Sequence, residues 1–219
     1  MKKLNILQYK NMQDLHIKAE LSANVLSNNE EYHNLEKEFT KKYNFEKLNT
    51  FSFDKDGFLG LLLSLNKKGS IAVSLGETNS LIEACTVFES LGFSIDYIPL
   101  KKDGKVDISY LDEKSFDFIF LSSYVMDTFV QVPLQEIKEK TKATIISNAS
   151  ANFSSLSDVV YFDPYKLTGF STSGVILFDG DLFEQKSFAY IDLVAVSTIL
   201  EALKTQQFNT KMQEKFKSK

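Results

Sequence analysis

The stretch Asp163–Gly169, with the sequence DPYKLTG, and the following Gly174–Phe178, with the sequence GVILF, decide how this chain folds. A β-branched and aromatic run, 159–162, ends at the proline-containing turn, and a second apolar strand follows it. This order predicts that Lys166 lies in a loop between two buried strands. An amine held at such a place can trap an electrophile. The alternative is a lysine that only faces water, since most lysines are exposed.

Outward from this stretch, short apolar runs alternate with segments of helical periodicity. The strands we expect are Thr50–Phe53, Ser70–Leu75, Phe93–Leu100, Phe116–Leu121, Ala143–Ser147, Asp158–Phe162 and Ser173–Phe178. The helices between them are Asp56–Leu65, Glu77–Leu91, a short piece at Ile108–Glu113 and Leu134–Lys142. Strands that are apolar on both faces and alternate with helices belong to a parallel sheet covered on both sides. The sequence therefore predicts the α/β class, as a three-layer α/β/α sandwich with a mostly parallel, doubly wound sheet.

The chain of 219 residues is expected to form a single domain. An N-terminal helical arm takes residues 1–45, with helices at Leu15–Val25 and Glu30–Tyr43. The sheet domain takes residues 50–180, and one long helix takes residues 188–215. Within the sheet domain, Gly69 is expected to cap the end of the helix that starts near Asp56.

The amino-acid composition excludes several classes of function. All 25 basic residues are lysine, so no guanidinium fork is present for a carboxylate or phosphate. The net charge of -4 argues against nucleic acid as a partner. One cysteine and two histidines, His16 and His33, leave no disulfide and no metal site to expect. We expect a cytoplasmic protein without a signal peptide and without a membrane segment.

Ligands of open α/β sheets bind beyond the carboxyl ends of the strands. Four loops are therefore expected to share one edge with the Lys166 loop, namely Asp54–Gly57, Gly76–Ser80, Ser122–Val132 and Asn148–Ser155.

Several short motifs occur in a fixed order within residues 50–180. They are Leu91–Phe93, Tyr97–Leu100, Asp103–Asp107, Val132–Ile137 and Pro164–Gly169 running on to Gly174–Leu177. In this order and spacing they resemble the large domain of the cysteine desulfurases and class-V aminotransferases, which are pyridoxal-phosphate enzymes of fold type I.

The resemblance implies a set of site residues. Lys166 falls where the family's lysine forms the Schiff base with pyridoxal phosphate, and is the expected catalytic residue. The cofactor would be contacted at Thr78 on the ring face, Asn148 at the pyridine nitrogen, Asp56 at the phosphate and Tyr165 beside the lysine.

The same positions depart from the family pattern. Thr78 cannot stack on a ring, and Asn148 carries no charge to keep the pyridine nitrogen protonated. Asp54 and Asp56 stand at the start of a helix, where aspartate caps the amides that a phosphate would use. Cys85 lies at apolar helical spacing, which predicts a core thiol and not a persulfide carrier.

Three hypotheses follow. The preferred one is a degenerate relative, a pseudoenzyme with weak or no pyridoxal-phosphate catalysis, which acts through a partner protein. The alternative is an active pyridoxal-phosphate-dependent aminotransferase or cysteine desulfurase acting on a small amino acid. A third is a small-molecule-binding sandwich unrelated to the cofactor. The resemblance also implies a homodimer, with the N-terminal arm and the C-terminal helix as the contacts.

Overall fold

The computed structural model describes residues 30–66, 69–112, 114–125, 128, 130–169, 173–184 and 191–217. The helix expected over Leu15–Val25, together with His16, lies outside these residues. The elements are α1 (Glu30–Tyr43), β1 (Lys47–Ser52), α2 (Lys55–Ser64), β2 (Ile71–Ser74), α3 (Asn79–Ser90), β3 (Ile95–Ile98), a 3₁₀ turn (Ile108–Leu111), β4 (Phe118–Phe120), α4 (Leu134–Lys140), β5 (Thr144–Asn148), β6 (Val159–Phe162), α5 (Pro164–Leu167), β7 (Ser173–Phe178) and α6 (Leu193–Lys217).

The seven strands form one sheet in the order β1-β7-β6-β5-β4-β2-β3. β3, β2, β4, β5 and β6 pair in parallel along this order. β7 is antiparallel both to β6 and to β1, so β1 runs in the same direction as β2 to β6. The prediction of a mostly parallel α/β sheet is confirmed.

Helices cover both faces of the sheet. On one face, α2 and α3 pack on an apolar cluster that includes Phe118, Phe120 and Ile146. On the other face, α1 and α6 pack over β6 and β7, while α4 and the 3₁₀ turn pack over β4 and β5. The alternation of side chains along each strand separates these two cores, and the predicted three-layer sandwich is confirmed.

Helix α2 begins at an aspartate cap and starts against β1. Asp54 precedes the helix in an extended conformation, and its Oδ1 accepts the Gly57 N–H at 2.8 Å. The helix ends at Ser64, with Leu65 in an isolated bridge to Phe183. The expectation that Gly69 caps this helix is therefore wrong, because the chain has already turned toward the 181–184 segment by Leu65.

Helix α6 also starts at an aspartate. Asp192 Oδ1 accepts the Ala195 N–H at 3.0 Å, while the Asp192 N–H donates to Thr50 Oγ1 at 3.0 Å. The helix begins at Leu193, because Asp192 caps it and is tied to β1, and the expected start at 188 lies outside the described residues. In the described segments, no helix is both long enough and apolar enough to cross a membrane.

Candidate functional site

The candidate site lies along the edge of the sheet where β1, β2, β4, β5 and β6 end. Because these five strands run in one direction, the loops that follow them meet at one edge. The described parts of the predicted loops are thus brought to the same edge of the sheet as the Lys166 turn. Phe51, Phe53, Phe58 and Tyr161 pack together beneath this edge, with ring centroids 5.1 to 6.3 Å apart.

Lys166 lies on α5, a helix of one turn, and not in a simple loop. Asp163 accepts the Lys166 backbone N–H on Oδ1 at 3.1 Å, and Pro164 occupies the first helical position, where its missing N–H is no loss. Gly169 follows with a φ of 80°, a conformation that glycine adopts without strain, and its N–H donates to the Pro164 carbonyl at 3.2 Å. Lys166 itself is half-buried. The turn thus holds the backbone of Lys166 at the carboxyl end of β6.

A chain of buried hydrogen bonds connects this turn to Asn148 at the end of β5. The Asp163 N–H donates to Ser150 Oγ at 2.6 Å, and the Ser150 hydroxyl donates to Asn148 Oδ1 at 2.6 Å. The Ser150 N–H donates to the same Oδ1 at 3.1 Å. A backbone N–H can only donate, so the oxygen of the Asn148 amide is fixed toward Ser150 and the nitrogen points the other way.

Glu77, just after β2, is a buried carboxyl group at the same edge. Its Oε2 accepts the Tyr161 hydroxyl at 2.8 Å and the Thr78 N–H at 3.2 Å. Burial raises the pKa of Glu77 to about 6, against the lowering effects of Tyr161, of Ser122 and of the positive charge on Lys166. Burial likewise raises the pKa of Asp163, and Lys166 opposes that shift. Lys166 therefore lies within electrostatic reach of two buried acids.

Thr78 is the residue before α3, yet its side chain makes no capping hydrogen bond. Its Oγ1 is buried and lacks a hydrogen-bond partner in the described part of the chain, as does Ser122 Oγ. The side chain of Ser122 lies close enough to the Glu77 carboxyl group to interact with it, and this contact lowers the pKa of Glu77. Thr78 thus brings a hydroxyl and a methyl group to the edge and no ring.

At the end of β1, the N-terminus of α2 is closed by its own side chain. Asp54 Oδ2 accepts the Ser52 hydroxyl at 2.6 Å, and Oδ1 accepts the Gly57 N–H. The Ser52 hydroxyl, followed by the Gly57 amide, lowers the pKa of Asp54. Asp56 is exposed and pairs with Lys55. The sequence predicts that aspartate caps the amides at this helix start, and Asp54 does so at the Gly57 N–H.

The structure groups some of the predicted site residues and separates others. Thr78 follows β2, Asn148 ends β5 and Lys166 follows β6, so the three lie at the shared edge, as expected from the sequence. Asp56 turns to solvent beside Lys55, and Tyr165 is half-exposed on α5.

Glu77, Tyr161 and Ser150 are at the centre of the site and were not singled out from the sequence. A carboxylate directly after a buried strand and a glycine was the available signal for Glu77. Tyr161 gave none, because it lies inside an apolar run.

Cys85 is fully buried in α3, and burial raises the pKa of its thiol to about 12. The predicted core thiol is confirmed. No group of three or more His, Cys, Asp or Glu side chains that could hold a metal ion occurs among the described residues.

No protein-family model matches the sequence, and no curated protein matches it either. The fold of this chain is, however, similar to the folds of solved structures. A NifS-like protein superposes with a TM-score of 0.72 at 12% identity, covering 94% of this chain and 68% of its own. A serine palmitoyltransferase from S. paucimobilis, with bound PLP-myriocin aldimine, gives a TM-score of 0.63 at 11% identity, covering 97% of this chain and 64% of its own.

The fold is that of the pyridoxal-phosphate enzymes of fold type I. A SepCysS–SepCysE N-terminal domain complex adds a TM-score of 0.63 at 9% identity, covering 84% of this chain and 59% of its own. At these identities the likeness shows the fold alone. The chain spans 59 to 68% of the length of these three structures.

Proposed function

We propose that this chain is a degenerate relative of the fold type I pyridoxal-phosphate enzymes, which keeps the fold and the lysine position but holds the cofactor weakly or not at all. The observation that carries the proposal is the closed N-terminus of α2. A phosphate group needs free amides at a helix start, and here Asp54 takes the Gly57 amide and adds a negative charge. A phosphate dianion at this place would meet like charge.

Two further positions support the proposal. Thr78 offers no ring to stack on a pyridine. The oxygen of Asn148 is already used by Ser150, so the atom left for a ligand is a neutral N–H donor. A neutral donor cannot keep a pyridine nitrogen protonated, and the electron-withdrawing power of the cofactor depends on that charge.

Addition of pyridoxal phosphate to the purified protein tests this proposal. An imine absorbs near the edge of the visible range and is bleached by borohydride. The chain has 25 lysines, so the reduced protein must be digested and the modified lysine located by mass spectrometry. We expect modification spread over exposed lysines without preference for Lys166. A stoichiometric band that maps to Lys166 and is absent from Lys166→Ala would overturn the proposal.

The variant Asp54→Gly separates the role of the helix cap. Glycine is nearly as good a cap as aspartate but carries no carboxylate. If Asp54 blocks phosphate, pyridoxal phosphate should bind Asp54→Gly more tightly than the wild type, and pyridoxal without phosphate should bind both equally. Equal binding of pyridoxal phosphate to both proteins would remove Asp54 as the cause.

The alternative is an active pyridoxal-phosphate-dependent transferase or lyase acting on a small amino acid. The observation in its favour is the half-buried Lys166, whose turn is anchored through Asp163 and Ser150 to Asn148. Release of a keto acid, ammonia or sulfide from amino acids, abolished in Lys166→Ala, would establish it.

The assembly and location of the chain also belong to this proposal. A single domain over residues 1–219 follows from the length of the chain, a homodimer from the family resemblance, and a partner protein from the degenerate-relative hypothesis. Light scattering during size-exclusion chromatography measures the oligomeric state. A cytoplasmic location agrees with the buried free thiol of Cys85.

A further inference from the structure

Unpaired polar atoms gather at the carboxyl edge of the sheet. In the described part of the chain, six buried side-chain polar atoms lack a hydrogen-bond partner. Four of them lie at or just beyond the carboxyl ends of the neighbouring strands β2, β4 and β5: Glu77 Oε1, Thr78 Oγ1, Ser122 Oγ and Asn148 Nδ2. Leaving a buried polar group unpaired destabilises the folded state, because the group has lost its hydrogen bonds to water. Four such atoms at one edge leave hydrogen-bonding capacity for a bound ligand, although the Ser122 hydroxyl also acts on Glu77.

These atoms belong to one face of the sheet. Asn148 is the register partner of Tyr161, so their side chains leave the same face, and the Tyr161 hydroxyl reaches Glu77. Ser122 follows Phe120 by two residues, and Phe120 belongs to the apolar cluster that also contains Tyr161. The four atoms therefore lie around the polar end of that cluster.

The hydrogen-bonding roles at this place are fixed. The Asn148 oxygen is occupied by Ser150, so Nδ2 can only donate. Glu77 Oε2 is occupied by Tyr161 and Thr78, so the unpaired Oε1 requires a donor when the carboxyl group is ionised. The hydroxyls of Thr78 and Ser122 can take either role. A complementary ligand presents an acceptor and a donor together.

The charge of the surroundings selects against anions. Glu77 and Asp163 are buried acids facing one lysine, Lys166, whose positive charge lowers the pKa of both. An added carboxylate or phosphate would place a further negative charge among these groups without a guanidinium to receive it. A neutral ligand avoids this repulsion.

We propose that Glu77, Thr78, Ser122 and Asn148 form a binding site for a small neutral ligand with a carboxamide or lactam group. Its carbonyl oxygen accepts from Asn148 Nδ2, and its N–H donates to Glu77 Oε1. The inference rests on the proposed function, because it gives to an amide the place that the fold's cofactor leaves. It goes beyond that function by naming the ligand class.

Ligand-observed saturation-transfer NMR on the whole chain tests the site with probes matched in shape. The pairs are nicotinamide with nicotinate and benzamide with benzoate, and 2-pyrrolidone represents the lactams. We expect each amide to bind about tenfold or more tightly than its acid, the effect of one hydrogen bond to a charged group. Asn148→Asp and Glu77→Gln, which change hydrogen-bonding role at nearly constant shape, should each weaken amide binding about tenfold or more.

Controls keep the test decisive. Ser115→Ala, at an exposed position just before β4 and so at the opposite edge of the sheet, should bind the amides as the wild type does. If Asn148→Asp fails to fold by circular dichroism, Ser122→Ala serves as the milder change. No amide binding, equal binding of amide and acid, or binding indifferent to these substitutions would overturn the inference and leave a buried water as the partner. The pyridoxal phosphate experiment is read separately, since an imine at Lys166 overturns the proposed function whatever the amides do.

Discussion

The Tyr161 hydroxyl donates a hydrogen bond of 2.8 Å to Oε2 of Glu77, although β5 and β4 separate β6 from β2 in the sheet. Both groups are buried, and burial raises the pKa of each. The Glu77 carboxyl group is thus buried just after β2, where it accepts hydrogen bonds from one hydroxyl and one backbone amide.

This pair predicts a pH-dependent stability. The pKa of Glu77 is raised from 4.5 to about 6, so the folded state binds this proton more tightly than the unfolded state. Stability is therefore highest below about pH 4.5 as far as this group is concerned, and falls by about 2 kcal/mol as the pH rises through 6. The glutamine in Glu77→Gln cannot ionise, so the free energy of unfolding of this variant should not show this decrease.

Urea unfolding of both proteins between pH 4.5 and 7 measures the effect. Asp163 also has a raised pKa and contributes a fall of the same sign, but it does so in both proteins and cancels in the difference. Parallel pH profiles for wild type and Glu77→Gln would show that Glu77 titrates normally.

The start of α2 gives a matched pair of glycine substitutions. A Cβ at Gly57 would lie 1.8 Å from the Ser52 carbonyl oxygen, while a Cβ at Gly60 would have nothing within 4 Å. We expect Gly57→Ala to lower the free energy of unfolding by about 3 kcal/mol or more, because backbone must move. Gly60→Ala should raise it by about 0.5 to 1 kcal/mol, since alanine is the better helix former. Urea unfolding compares them, and equal effects would contradict the close approach of α2 to β1.

The sheet and the aspartate cap of α2 can be predicted from the sequence more fully than the candidate site can. Continuous apolar runs such as Phe118–Phe120 predict strands buried on both faces, and the helix start at Asp54 follows from local chemistry. The sequence pattern predicts a loop where the structure has the one-turn helix α5, although an aspartate followed by proline is a usable signal for a helix start.

The hydrogen bonds at the centre of the site could not be predicted. Glu77 and Tyr161 are 84 residues apart, and no local pattern connects them. Ser150 gains its role only because β5 and β6 are neighbours, so that one hydroxyl serves both Asp163 and Asn148. Strand order decides such contacts.

Ser150 is expected to be a strong stability determinant despite its small side chain. It is fully buried, accepts from the Asp163 N–H and donates to Asn148 Oδ1. Ser150→Ala leaves the Asp163 N–H without its acceptor in a buried place, and should lower the free energy of unfolding by about 1 to 3 kcal/mol. Ser155→Ala, at an exposed position in the loop between β5 and β6, should change it by less than about 0.5 kcal/mol. If Ser150→Ala lowers the free energy of unfolding by less than about 0.5 kcal/mol, a water molecule has replaced the hydroxyl.

The lone cysteine permits a direct test of the α3 core. Cys85 is fully buried, and burial raises the pKa of its thiol to about 12, so almost no thiolate exists at pH 8. Since the thiolate is the reactive form, the native protein should react with a disulfide reagent at least about a hundredfold more slowly than the protein in urea. Because the chain has one cysteine, the released chromophore reports this site alone. Fast reaction of the folded protein would show that α3 opens readily and would return Cys85 to consideration as a sulfur carrier.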